Sequence, residues 1–373
     1  MNLENIFCPN DDCPARGQTG EGNIRSHSQK EKRCLCTECG KTFAISKGTP
    51  FYRLRTEPQI VIWVIVLLAY GCPPQAIVKA FGLDERTVKD WYQRAGTHCE
   101  TVHDHVVGQA KLDLQHVQAD EIKAKIFKGV AWLAMAIMVP SRLWLGGEIS
   151  PQRDRQLIRR LADRIQGVAL CRPLLLAVDG LPGYVKAFQR AFRSKAPREG
   201  KEGRCQLVAW PDIAIVQVIK RRTGDTFEVE RRIVQGCAQL IARLRQATQT
   251  TLGVINTAYI ERLNGTFRQR LAPLARRTRH LAQQQGTLRA GMYLVGCFYN
   301  LCHYHHSLRQ RLWVGEHGYT WVHFTPAMAA GLTNHQWTAA ELLMYKVPPA
   351  RWTLPKRRGR PSKELLQQIE RWC

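Results

Sequence analysis

The run Leu174-Leu175-Leu176-Ala177-Val178 closes on Asp179-Gly180. Five consecutive apolar residues stopped by a turn pair read as a short strand buried on both faces, the mark of a sheet with parallel strands covered by helices. Working outward, 150–167 reads as a helix with Leu157, Ile158, Leu161 and Ile165 on one face, and a second helix runs through 184–192. Strands are predicted at 116–123, 130–139 and 143–149. After a basic loop, strands at 205–221 and 226–234 are joined by Arg222-Thr223-Gly224-Asp225 as a hairpin. Helices follow at 238–247 and from 256, the last ended or kinked by Pro273. Residues 112–345 are therefore expected to be α/β, a mixed sheet flanked by helices with a hairpin insert near 205–235. Ligand and catalytic groups of open α/β sheets gather at strand carboxyl ends, which is where Asp179 stands.

Two smaller modules precede this part. Cys8 and Cys13 are separated by four residues, Cys36 and Cys39 by two, and Gly40 follows the second pair. Two close pairs supply the four thiolates that tetrahedral Zn2+ takes in a structural site, and 1–50 is expected to be a zinc ribbon held together by the metal. Cys34 is a fifth candidate that pairs less well. Residues 55–110 read as three helices: an apolar one at 58–70, a second at 75–81 opened by Pro73-Pro74, and a third capped by Asp84 with Val88, Trp91, Tyr92 and Ala95 on one stripe. The turn at Gly82-Leu83 gives a helix-turn-helix pattern, in which Arg86, Lys89 and Arg94 lie off the apolar stripe and are candidates for DNA contact.

A formal net charge of +25, from 55 Lys+Arg against 30 Asp+Glu, calls for a polyanionic partner, and a chain 45% hydrophobic is not a disordered one. The start Met1-Asn2-Leu3-Glu4-Asn5 shows no export signal, and the longest uncharged stretch, 58–78, is broken by Cys72-Pro73-Pro74, so no membrane span is expected. The stretch 346–363 has seven Lys/Arg, four prolines and no acid, a linker composition. Within it Arg358-Gly359-Arg360-Pro361 fits either an AT-hook for the minor groove of A·T tracts or a plain basic linker. His303-Tyr304-His305-His306 lacks cysteine or carboxylate companions and reads as surface or phosphate-facing histidines.

Three carboxylates are candidates for catalysis. Asp120 lies on the first predicted strand after Val117 and Ala119, and Asp179 ends the most apolar one. Taken alone, Asp179 reads better as an N-cap or turn residue and Asp120 as a solvated edge-strand residue. Glu261 lies in a predicted helix with Asn264 and Arg268 on its face, and from Glu261 to Arg289 seven arginines accompany this single acid. A carboxylate holding a divalent metal beside bound phosphates accounts for both features. Asp120, Asp179 and Glu261 together can chelate two Mg2+ or Mn2+ ions for phosphodiester cleavage or strand transfer, with Glu121 as the substitute for Asp120.

The order of these pieces resembles the DDE transposases of the insertion sequence one family. The resemblance rests on the cysteine ribbon, the helix-turn-helix, Asp120-Glu121, Asp179 and above all Asn256-Thr-Ala-Tyr-Ile-Glu261-Arg-Leu-Asn264…Arg268, continuing to Arg276-Arg277-Thr278. Phe298-Tyr299-Asn300 and Ser307-Leu308-Arg309 agree with it. It implies an RNase H-like catalytic domain, the triad Asp120, Asp179 and Glu261, structural Zn2+ and catalytic Mg2+ or Mn2+. It also implies action on double-stranded DNA at an element's inverted-repeat ends and at its target, a homo-oligomer on DNA, and a cytoplasmic location at the nucleoid of a prokaryote. A non-catalytic DNA-binding regulator derived from a transposase would share every DNA feature without bringing the three carboxylates together. An RNA-directed protein ranks lower, as no RNP-type aromatic motif is present.

Overall fold

The computed structural model describes residues 3–127, 129–196, 204–223, 226–247, 254–278, 281–282, 284–315, 318–353 and 361–372. It divides into two compact units, Met1–Val61 with Leu343–Cys373, and Ile62–Leu342. Arg358 and Arg360, with the rest of the AT-hook-like stretch up to position 360, lie outside the described residues.

The first unit holds an antiparallel sheet of β1 (Ile24–Ser28), β2 (Arg33–Cys36) and β3 (Thr42–Ala44) in that order. Its small core is rich in sulfur: Cys8, Cys13, Cys34 and Cys36 pack with Ile6, Ile24 and Phe43. Trp372 packs into the same core from a helix at Lys363–Trp372, and Arg371 pairs with Glu38 at 3.3 Å. A basic tail was expected over 346–373. Lys363–Trp372 is instead an amphipathic helix whose indole packs into this core.

Helix α1 (Pro58–Ala69) begins in the first unit and continues into the second, where α2 (Pro74–Phe81) and α3 (Glu85–Val106) follow. Gly82 ends α2 at φ 63°, a left-handed position suited to glycine, and the Asp84 side chain accepts from the Arg86 N–H at 2.7 Å. Helix α3 runs eleven residues past the stripe read at 84–95, because His98, Cys99, Val102 and His103 continue its buried face.

A six-stranded mixed sheet forms the centre of this unit. Its strands in the chain are β4 (His116–Ile126), β5 (Gly129–Met138), β6 (Leu143–Ser150) and, after helix α4 (Arg155–Val168), β7 (Leu174–Val178). Helix α5 (Pro182–Ala191) and a small ribbon of β8 (Arg193–Lys195) and β9 (Leu207–Ala209) lead to β10 (Ile213–Thr223) and β11 (Thr226–Gln235). The order is β11-β10-β7-β4-β5-β6. β7 is parallel to both β4 and β10, and the other pairs are antiparallel. All five residues of β7 are buried, as its apolar run requires. The hairpin expected as an insert is instead part of this sheet: β10 lies directly against β7, with Ala214, Val216 and Val218 buried under helix α6 (Ala238–Ala247).

Two further helices fix the site. Helix α7 (Ala258–Arg270) lays Phe267 against Trp144 of β6, with ring centroids 5.6 Å apart. Helix α8 (Gln285–Cys297) packs along α3, where Gly96 meets Ala290 so closely that a Cβ on Gly96 would lie 2.4 Å from the alanine Cβ. Beyond α8 the chain makes a π-helical turn at Phe298–Cys302, from which Asn300 pairs both of its amide groups with the Trp144 backbone at 2.9 Å.

Candidate active site

In the first unit the four paired cysteines meet. The sulfurs of Cys8, Cys13, Cys36 and Cys39 all lie within 4.8 Å of one another, with Cys8–Cys39 and Cys13–Cys36 both at 3.7 Å. Zn–S bonds of about 2.3 Å in a tetrahedron put sulfurs about 3.8 Å apart, so this spacing fits zinc. Gly40, at φ 66°, lets its N–H turn back to the Cys36 carbonyl at 2.9 Å. Burial pushes the Cys8 thiol up to about 12 and that of Cys13 higher still, a cost that a metal bound to thiolates removes. Cys34 is buried in the core beside this group and is not part of it.

In the second unit the parallel strands β4, β7 and β10 run the same way. Ala119 and Gln217 are both in register with Val178, so Asp179, just past the end of β7, comes beside Asp120 in the middle of β4. Carboxylate oxygens of Asp120, Glu121 and Asp179 lie within 4.8 Å of one another. Arg153 bridges two of them, reaching Glu121 at 3.3 Å and Asp179 at 3.2 Å, and its guanidinium lies 5.3 Å from the Trp132 ring centroid. The Glu121 N–H donates to Asp120 at 2.8 Å, and the Asp179 carboxylate accepts from the Leu181 N–H at 3.0 Å.

Helix α7 is clamped beside these acids by a residue the sequence pattern did not single out. Gln118 is fully buried on β4, two residues before Asp120. Its side-chain oxygen accepts from the Tyr259 and Ile260 N–H groups, each at 3.0 Å, and its amide donates to the Asn256 carbonyl at 2.7 Å. One glutamine thus satisfies two of the orphan N–H groups that open a helix. From α7, Asn264 donates to Asp120 at 2.8 Å, while its own side-chain oxygen is buried without a partner. Glu261 stands apart from the three clustered acids. Its carboxylate accepts from Thr257 at 2.7 Å and forms a close ion pair with Lys220 of β10. It remains near enough that its charge, with that of Asp179, pushes Asp120 upward.

The electrostatics of this pocket are those of acids short of cations. Burial raises Asp120 to about 6 against the pull of the Glu121 N–H, and repulsion from Asp179 and Glu261 adds to it. Burial and then Asp179 push Glu121 to about 7, although Arg153 opposes the shift. Glu261 moves the other way: burial works against its charge, but Lys220 and Thr257 outweigh it. Tyr184 is fully buried beside the cluster, and its phenol is held well above its ordinary value by burial and by the three carboxylates. Three clustered carboxylates, with Asp120 and Glu121 raised, and a neighbouring unpartnered amide oxygen on Asn264 are a fitting donor set for a hard divalent cation.

The remaining candidates are spread more widely. Arg268 faces Asp120 closely enough to lower it, and Arg276 and Arg277 are exposed just past α7. On α3, Arg86 is exposed, whereas Lys89 pairs with Glu85 at 2.7 Å and Arg94 with Asp90 at 2.6 Å, one helical turn away. Among the described residues no helix is long and apolar enough to cross a membrane. No protein-family model matches this chain, and no curated protein matches it.

Proposed function

We propose that this protein is a DNA transposase of the DDE type, using an RNase H-like unit to cut and join DNA strands with divalent metal. The observation that carries the reading is the meeting of Asp120 and Glu121, inside β4, with Asp179, just past the end of the adjacent parallel strand β7, and the helix of Glu261 clamped beside them. A sheet in which an antiparallel trio, β4 to β6, continues into parallel β7 and β10 supports the fold assignment. Asp120 and Asp179 would hold Mg2+ or Mn2+, with Glu121 and Glu261 at its border. A bound divalent pair supplies activation of a water or 3′-hydroxyl and stabilisation of the leaving oxygen at phosphorus.

The chain's own groups do the positioning. Asn264 fixes the rotamer of Asp120, and Arg153 holds Glu121 and Asp179 in place while offsetting their repulsion. Lys220 keeps Glu261 ionised until a stronger cation competes for it. Arg268, Arg276 and Arg277 suit a phosphate backbone entering the pocket. Zinc ribbon and helix-turn-helix would recognise the element's ends, with Arg86 as the reader best placed for contact. A DNA-binding regulator without catalysis is the second reading, favoured by the pairing of Glu261 with Lys220 outside the acid cluster. Cleavage separates them. With Mg2+ or Mn2+, the wild-type protein should nick DNA carrying the element's ends, and Asp120→Asn, Asp179→Asn and Glu261→Gln should not, while all retain DNA binding. A wild-type protein that binds DNA and never cuts it would favour the regulator.

A further inference from the structure

Outside the six-stranded sheet, β12 (Gln310–Trp313) and β13 (Tyr319–Val322) form an antiparallel ribbon of their own. Arg311 is in register with Trp321, and Trp313 with Tyr319. Side chains alternate between the faces of a strand, so Arg309, Arg311 and Trp313 share one face with Tyr319 and Trp321. At the tip the Val314 N–H donates to the Gly318 carbonyl at 2.8 Å, and at the base the His305 N–H donates to the Phe324 carbonyl at 2.9 Å.

Rings and guanidiniums interleave on this face. Tyr319 lies between two indoles, its ring centroid 5.8 Å from that of Trp313 and 5.7 Å from that of Trp321, edge-on to both. The Arg309 guanidinium carbon sits 4.0 Å from the Trp321 ring centroid, and that of Arg311 sits 4.8 Å from Tyr319 and 5.2 Å from Trp321. These contacts hold long side chains in place, which lowers the entropy lost when a ligand arrives. Cross-strand pairs also hold the ribbon together, but they do not account for its tip. Trp313 is 72% exposed, the most exposed large apolar side chain among the described residues, and Tyr319 is 46% exposed. An indole left in water adds little to a two-stranded ribbon, yet it offers a free ring face to a ligand.

The chemistry of the face selects its occupant. The described residues from 303 to 325 include no Asp or Glu, and Glu316 lies outside them. Arginines among indole and phenol rings suit a partner that is both anionic and aromatic, a polynucleotide whose bases are unpaired. In a duplex the faces of the bases are covered by their neighbours, and only edges and phosphates are open. A second copy of this chain fits less well. In a two-fold contact the same patch meets itself, which sets Arg309 and Arg311 against their own kind.

We propose that Arg309, Arg311, Trp313, Tyr319 and Trp321 form a stacking platform for the bases of unpaired DNA, with Trp313 as its outermost ring. It rests on the DNA-directed reading above and names the form of DNA, single-stranded rather than duplex, that this face takes.

The test is affinity in EDTA at fixed salt for probes of equal length: an oligothymidine, a blunt A·T duplex, and an abasic strand that keeps the phosphates without the bases. The wild-type protein should hold the oligothymidine about tenfold more tightly than the abasic strand, the size of one stacked base. Trp313→Ala should remove about that factor for the oligothymidine and leave the duplex affinity unchanged. Trp313→Phe should keep most of it, and Leu312→Ala, on the opposite face, should change neither affinity. An abasic strand held as tightly as the oligothymidine overturns the proposal on the wild-type protein alone, whatever the variants do to the hairpin. So does a Trp313→Ala protein that loses single strand and duplex by the same factor, or loses neither. Sedimentation decides about a second copy: self-association lost in Trp313→Ala, with oligothymidine affinity unchanged, would assign the face to that contact and overturn the DNA assignment. An RNA strand of matching sequence held more tightly than the DNA strand would overturn it in favour of RNA. A wild-type protein that shows the single-strand preference and never cuts the element's ends with Mn2+ would defeat the transposase reading and leave this platform standing.

Discussion

Replacing Glu121 by glutamine is expected to stabilise the metal-free protein. The Glu121 side chain is buried and its charge is opposed by burial and by Asp179, which together push it from 4.5 to about 7. The folded state therefore holds the proton more tightly than the unfolded state. The penalty is absent below pH 4.5, grows between 4.5 and about 7, and is full above that. The gap between 4.5 and about 7 is worth about 3 kcal/mol at alkaline pH. Glutamine gives back part of this by weakening two long contacts to Arg153, at 3.3 and 3.4 Å, leaving a net gain of about 1–2 kcal/mol. Thermal unfolding in EDTA should show Glu121→Gln melting several degrees higher at pH 8, with the advantage gone at pH 4.5. Adding Mn2+ should reverse the order, because a ligand that binds only the folded wild-type site stabilises it by mass action. A variant less stable than wild type at pH 8, or a gain that is the same at both pH values, would refute the reasoning.

Three further outcomes follow from the geometry. Purified protein should carry about one zinc per chain, measured by elemental analysis, and Cys36→Ser should lose the metal together with the fold of the ribbon. Gln118→Leu should cost about 3 kcal/mol in urea unfolding, because three backbone groups at the start of α7 lose their partner in a buried place. Mn2+ affinity, followed by the signal of the free ion, should fall as pH drops from about 7 through about 6, since Glu121 and Asp120 take up protons there and a protonated carboxyl is a poor ligand.

The parts of this molecule legible in the sequence are those set by local pattern. Leu174–Val178 announced itself because five apolar residues ended in a turn pair, and the same pair placed Asp179 at the strand's end. The cysteines announced themselves by spacing, and the structure brings all four together. What was not legible depends on contacts between distant segments. Gln118 reads as an ordinary polar residue of a strand, and only the arrival of α7, some 140 residues later, gives it three partners. Arg153 and Lys220 carry no local signal; their importance lies in which carboxylate they meet. The β10–β11 hairpin was visible as a hairpin, but its parallel pairing with β7 is a tertiary choice that no turn residue encodes. Helix α3 was cut short because His98 and His103 do not look apolar, although both are buried.

The central claim is that the acidic pocket binds divalent metal for chemistry on DNA, and anomalous diffraction from crystals grown with Mn2+ tests it most directly. A manganese peak bounded by Asp120 and Asp179, with Glu261 released from Lys220, is the predicted result. Crystals that hold manganese elsewhere, with this pocket empty and the Lys220–Glu261 pair intact, would contradict it.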